Sequence, residues 1–200
     1  MVEIKIFDKW PVDGIEVNDI GLKKYINLQH AVVPRSGGRN SKHQFYKSKM
    51  NIIERLINKL MVPGHRSKKH IITSGRVVGK VFIQYKIVKK TFERIEQVIK
   101  KNPIEVFVKA IENSALREEI AAYQVGGIIV RRSVITSPQR RVDLALKNIV
   151  QAAYRKSFGK RETIVDTLTN EIVGAYNNDA SKSEAIKERE RIEREAEGAR

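Results

Sequence analysis

The sequence predicts a mainly α-helical fold: about six helices, one protruding β-hairpin and an extended basic N-terminal arm. Three observations carry that expectation. Apolar residues recur at helical spacing in five stretches, and a charged helical run follows them. A single period-two stretch is divided by Gly126-Gly127. Residues 30–49 are rich in cations and poor in apolar side chains, so they cannot bury enough to fold alone.

Taken in order, residues 1–19 read as an irregular leader broken by Pro11 and Gly14, with a short strand expected at Ile15-Glu16-Val17. Residues 30–49 read as an arm that orders on a partner. In 49–61, Ile52, Ile53, Leu56, Ile57, Leu60 and Met61 form one stripe, which Pro63-Gly64 ends. Residues 64–79 are a Gly-rich basic loop. From 79 to 101, Val81, Tyr85, Val88, Phe92, Ile95 and Ile99 mark a long amphipathic helix. Asn102-Pro103 opens the next, to about Ala115, since Asn caps and Pro suits a first turn.

The pattern then switches to period two. Residues 119–125 and 128–135 read as a hairpin, with Gly126-Gly127 supplying the positive φ angles of a two-residue turn. Ser137 is the expected cap of a helix carrying Val142, Ala145, Leu146, Ile149, Val150 and Ala153. Gly159 precedes a helix over about 161–177, with Ile164, Val165, Leu168, Ile172 and Tyr176 inward. Residues 181–199 alternate in charge with almost no apolar face, which predicts an exposed helix or one docked on a partner. The expected division is an N-terminal extension and arm (1–48), a helical domain (49–180) and a charged last helix (181–200).

Charge points to a partner. The chain carries 39 Lys and Arg against 23 Asp and Glu, a net charge of +16 with a pI near 10.1. Such an excess repels itself when compact, so a polyanion is the natural partner. The excess is not spread evenly. Residues 20–92 hold 17 cations and one acid, Glu54, and residues 120–161 hold 9 cations and one acid, Asp143. Phosphate contact needs cations without competing carboxylates, and these two tracts fit that need.

Within the first tract the candidate phosphate contacts are Arg35, Arg39, Lys42, Lys47 and Lys49 in the arm, and Arg66, Lys68, Lys69, Arg76 and Lys80 in or beside the loop. Phe45 and Tyr46 could stack on bases or sugars. Within the second, Arg140, Arg141, Arg155 and Lys156 lie on one helix, near whose start phosphate is attracted. The hairpin places adjacent Arg131 and Arg132 on opposite faces. A lone two-stranded ribbon is marginal in water unless it packs on helices, and a projecting one can enter a nucleic-acid groove.

Catalytic readings fail. Gly75 to Lys80 is one residue short of a phosphate-binding loop, and Val81 stands where Ser or Thr should follow. Ser157-Phe158-Gly159-Lys160 matches Ser-x-x-Lys without any supporting motif. Of the four histidines, His65 and His70 are five apart in a basic loop with no carboxylate near them in sequence to orient them on a metal, so neither a metal site nor a cofactor is expected. There is no cysteine, and no apolar run approaches the roughly 20 residues of a membrane span. These features predict a soluble intracellular protein. An architectural DNA-binding protein also suits basic helices and a β-ribbon.

Asn51-Ile-Ile-Glu-Arg-Leu-Ile-Asn-Lys-Leu-Met61, Asn102-Pro-Ile-Glu-Val-Phe107 with Ala110-Ile-Glu-Asn113, Tyr123-Gln-Val-Gly-Gly127, Arg140-Arg141, Leu144-Ala-Leu146 and Val150-Gln-Ala-Ala153 together resemble the universal small-subunit ribosomal protein number seven family, numbered five in eukaryotes. The longer start and the segment 62–79 resemble its archaeal and eukaryotic members. The resemblance implies a helical bundle with a protruding hairpin. It also implies a cytoplasmic, non-enzymatic protein of the small ribosomal subunit. Such a protein would bind the 3′ major domain of the small-subunit ribosomal RNA, nucleate assembly of the head and adjoin the small-subunit proteins numbered nine and eleven. Tyr123, Gly126, Gly127, Arg131 and Arg132 of the hairpin would face exit-site transfer RNA and messenger RNA.

Overall fold

The computed structural model describes residues 4–64 and 79–200. Among them are six α-helices: α1 (Ile52–Met61), α2 (Val81–Ile99), α3 (Pro103–Ser114), α4 (Pro138–Ser157), α5 (Ile164–Tyr176) and α6 (Glu184–Glu197). One antiparallel hairpin, β1 (Glu118–Val125) and β2 (Ile128–Ile135), separates α3 from α4. The fold is therefore mainly α with one hairpin, as the periodicities predict.

Local chemistry sets the helix starts. Asn51 and Asn102 each accept a hydrogen bond from the backbone N–H two residues on, and Pro103 occupies the first turn of α3. Thr163 and Asp166 form a reciprocal capping box on α5. Ser137 departs from expectation. It precedes α4, but its side chain caps nothing, and Pro138 opens the helix instead.

The core runs through α1–α5 and reaches the last helix and the leader. Ile53, Leu56, Phe92, Ile95, Phe107, Ile111, Ile149, Leu168 and Ile172 are fully buried. The leader is part of this core, since Ile6, Phe7, Trp10 and Val12 are buried with it. Phe7, Trp10, Phe92 and Phe107 form a chain of aromatic contacts with centroids 5.7–6.1 Å apart. The indole N–H of Trp10 donates to Glu96 at 3.0 Å. The strand expected at Ile15-Glu16-Val17 does not form. No neighbouring strand among the described residues offers it a ladder, and Ile15 and Val17 pack on the core without one.

The hairpin pairs in register from Glu118↔Ile135 to Val125↔Ile128. Gly126 and Gly127 turn the chain at φ 54° and 86°, where a Cβ would be strained. The ribbon leaves the body with both faces open. Val125, Ile128 and Ile129 at its end are 56–70% exposed. Helix α6 is not free-standing. It packs on α3, α4, α5 and the hairpin root, with Ala185, Ile186 and Ala196 fully buried. Three small or apolar side chains suffice for docking because hydrogen bonds and ion pairs supply the rest.

Candidate nucleic-acid interface

The arm is tied to α1 through Ser36 and Glu54 and lines a series of clefts with its cations. Its two single-turn 3-10 helices, Arg39–Ser41 and Tyr46–Lys49, bury none of their own residues. Three adjoining clefts are all bordered by Asn40: one within the arm, one between the arm, α1 and the start of α2, and one between the arm, α1 and α4. The first, about 310 Å³, is lined by Arg39, Lys42, His43, Tyr46 and Lys49. There the Lys49 ammonium sits 4.1 Å from the Tyr46 ring centroid, and the His43 ring lies 4.6 Å from that of Tyr46. The second, about 220 Å³, takes in Arg35 and Glu54. The third, about 320 Å³, takes in Lys47, Arg55, Lys59 and Asp143.

Both acids of the basic tracts are committed inside this region. Glu54 accepts from the Ser36 backbone N–H and hydroxyl, each at 2.8 Å, which ties the arm to α1. Asp143 of α4 accepts from Lys47 at 2.8 Å and from Arg55 at 3.0 Å. Arg55 also donates to the Tyr25 carbonyl at 2.9 Å, and its side chain has almost no exposed surface. Burial alone would raise the Asp143 carboxyl. The hydrogen bonds and charges of Lys47 and Arg55 outweigh it and hold the group below its ordinary 3.8.

One carboxylate does not balance this pocket. Burial, followed by the positive charges of Lys47 and Lys147, pushes the Lys59 ammonium below its ordinary value, and Asp143 offsets that only in part. Burial first and the neighbouring cations second disfavour the Lys59 charge, and an anion beside it would offset both. Sequence reasoning does not single out Arg55 and Lys59. Their i, i+4 spacing, which puts both on one face of α1, is the signal that could have found them.

The cations of α4 are placed differently. Arg140 makes a two-pronged ion pair with Glu119, at 2.7–3.0 Å. Arg141 donates to Asp19 at 2.7 Å and to the Leu116 carbonyl at 3.0 Å. Arg155 pairs with Glu184, and Lys156 bonds Glu171 at 2.8 Å and the Lys182 carbonyl at 2.9 Å. Each would have to exchange an internal carboxylate for a phosphate. Arg35, Arg39, Lys42 and Lys49 carry no carboxylate partner among the described residues. Lys80 lies exposed just before α2. Arg66, Lys68, Lys69 and Arg76 lie outside the described residues.

On the hairpin, Arg131 pairs across the strands with Ala122 and Arg132 with Ala121, so the two arginines occupy opposite faces. Tyr123 is 43% exposed beside them. Beyond Glu118 and Glu119 at the root, the ribbon carries no acid.

A family model described as "Ribosomal protein S7p/S5e" matches residues 22–200. The chain belongs to the ribosomal protein S7p/S5e family. It is 48% identical over 199 residues to the small ribosomal subunit protein uS7 of Nanoarchaeum equitans, covering 100% of both chains. It is 45% identical to the protein of that name from Thermoplasma volcanium, covering 98% of this chain and 100% of the other. The uS7 of Methanothrix thermoacetophila is 42% identical, with 98% and 100% covered. The S7p/S5e family is a structural, non-enzymatic one, and the full-length agreement with these relatives makes the chain an archaeal-type member. No described helix is long and apolar enough to cross a membrane. No cluster of His, Asp or Glu among the described residues is placed to hold a metal ion.

Proposed function

We propose that this chain is a structural constituent of the small ribosomal subunit that binds the 3′ major domain of its ribosomal RNA and nucleates assembly of the head. The observation that carries this reading is the carboxylate-poor surface of the arm and α1. There Arg35, Arg39, Lys42 and Lys49 stand beside the overcharged Lys47–Arg55–Lys59 pocket. Such a surface takes phosphates in succession along a folded strand, and Tyr46 and His43 add ring faces for bases or sugars. Arg66, Lys68, Lys69, Arg76 and Lys80 extend the same function from the loop. Arg140, Arg141, Arg155 and Lys156 contribute only where RNA displaces their carboxylates. The hairpin, with Tyr123, Arg131 and Arg132 on a ribbon that carries no acid beyond its root, lies beside exit-site transfer RNA and messenger RNA at the subunit interface. In this reading the protein is cytoplasmic and neighbours the small-subunit proteins numbered nine and eleven.

The test is binding of a transcript of the 3′ major domain at several salt concentrations. Changing Arg35, Arg39, Lys42 and Lys49 together to Ala is expected to weaken binding. It should also flatten the plot of log affinity against log salt by roughly 0.7–0.9 for each phosphate that is no longer neutralised. An unchanged affinity and slope would refute the assignment. Duplex DNA displacing the transcript at equal salt would favour a DNA-binding protein instead. Shortening the hairpin around Gly126-Gly127 is expected to spare RNA affinity while disturbing exit-site transfer RNA. Normal occupancy and normal frame maintenance would remove the hairpin from that role.

A further inference from the structure

We propose that α6 is a strut that fixes the direction in which the hairpin leaves the body, with Arg200 and Glu118 as the positioning pair at its far end. A two-stranded ribbon has no internal means of holding its own angle to a helical body, because its stability comes from what it packs on. Here only the root is held: the Arg140–Glu119 pair ties β1 to α4, and α6 with the residues after it holds both strands.

The near end of α6 is locked to the body. Glu171 of α5 is fully buried and accepts from the Lys156 ammonium at 2.8 Å, the Ser183 hydroxyl at 2.8 Å and the Ala185 backbone N–H at 2.9 Å. A carboxylate with three donors at a helix start satisfies otherwise orphaned N–H groups and favours the positive end of the helix dipole. The approach is close. A Cβ on Gly174 would stand 3.0 Å from the Lys182 Cβ and 3.1 Å from the Ser183 backbone nitrogen. Midway, Arg189 donates to the Asn113 carbonyl at the end of α3, and Glu193 accepts from the Arg117 backbone N–H at 2.9 Å.

The far end grips the hairpin itself. Arg200 donates to both carboxylate oxygens of Glu118, at 2.7 and 2.9 Å. Glu118 in turn accepts from the Ser133 hydroxyl across the ribbon at 3.0 Å. The Ser133 backbone N–H donates to the Ala199 carbonyl at 3.3 Å. One short segment thus holds β1 through a side chain and β2 through its backbone. Because these contacts lie at the root, a small angular error there would be magnified at Ile128 and Ile129. Glu184, Arg189 and Glu193 of α6 thus serve as rungs to the body and the hairpin root, while Arg191 pairs within the helix with Glu188 and Glu195.

The inference concerns the free protein and does not depend on the RNA-binding reading. It can be tested without RNA. The chain has no cysteine, so Gln124→Cys on the ribbon and Asn170→Cys on α5 accept spin labels at two chosen positions. The distance distribution between the labels is expected to be narrow. Removal of residues 199–200, or Arg200→Glu, is expected to broaden it roughly twofold, as suits a ribbon that cannot hold itself. The melting temperature and helix content of the body should stay unchanged. The swap Glu118→Arg with Arg200→Glu is expected to restore the narrow distribution. An unchanged width in both weakened variants would overturn the proposal. So would a broadening that the swap fails to reverse, or one that comes only with loss of the body's own stability.

Discussion

Arg55 and Asp143, 88 residues apart in the chain, meet at 3.0 Å with the Arg55 side chain almost wholly buried. The same carboxylate oxygen takes the Lys47 ammonium at 2.8 Å, so one atom joins the arm, α1 and α4. Removing Arg55 leaves Asp143, a third exposed, with Lys47 as its remaining partner, so the cost is one charge-assisted contact together with the lost packing of a buried side chain. Arg55→Met should destabilise the protein by about 2–4 kcal/mol, since it also strands the Tyr25 carbonyl. Urea denaturation measures this. A loss well under about 1 kcal/mol would show that the pair is not the joint described.

Asp19 and Asp143 set a pH dependence. At Asp19, burial raises the carboxyl, but the hydrogen bond and charge of Arg141 and the Gly21 N–H bring it below its ordinary 3.8. Asp143 is lowered in the same sense. A folded value below the unfolded one gives stability that is complete above about pH 4 and drains away as the pH falls through the folded values. The melting temperature should fall steeply below that pH. The fall should be shallower in Asp143→Asn, which has less to lose. Parallel curves for the two proteins would contradict the assignment.

Lys59 is expected to trade stability for binding. Its ammonium is disfavoured in the folded state by burial and by Lys47 and Lys147, so the charged form is a burden to the free protein near neutral pH. Lys59→Gln should raise the melting temperature of the free chain and lower its affinity for the 3′ major domain transcript. Functional sites commonly show this opposition. If the free protein loses stability, or the affinity holds, Lys59 has no such part.

Arg140 and Arg141 are neighbours with different duties. The Arg140 pair with Glu119 lies at the surface, its side chain 56% exposed, and such pairs contribute about 0.2–1 kcal/mol. Arg141 is 11% exposed and satisfies both Asp19 and the Leu116 carbonyl. Arg141→Ala should therefore cost about 2–3 kcal/mol and Arg140→Ala under about 1 kcal/mol. Thermal melts of the two variants decide the order. Equal losses would mean that burial does not separate them.

The helices and the hairpin are legible in the sequence because their signals are local. The Asn51 and Asn102 caps, the stripe from Ile52 to Leu60 and the Gly126-Gly127 turn each need only a few consecutive residues, and each forms where the pattern puts it. The arm is legible as a cationic segment with little to bury. Ser137 suggests a side-chain cap by its residue type, whereas its geometry here does not provide one. The leader's place in the core is not legible, since Phe7 and Trp10 find their partners on α2, far along the chain.

By itself the sequence determined the six helices, the ribbon, the net charge of +16 and the two tracts in which acids are scarce. Only the tertiary structure decided which cations in those tracts remain open. It brought Asp19, Glu119, Glu171 and Glu184 onto the cations of α4 from other parts of the chain. It also turned the two lone acids, Glu54 and Asp143, into ties that hold the arm in place. Helix and turn formation is governed by neighbours a few residues away, so it can be read along the chain. A charge is neutralised by whatever lies within a few ångströms of it, and that distance exists only after the helices have packed.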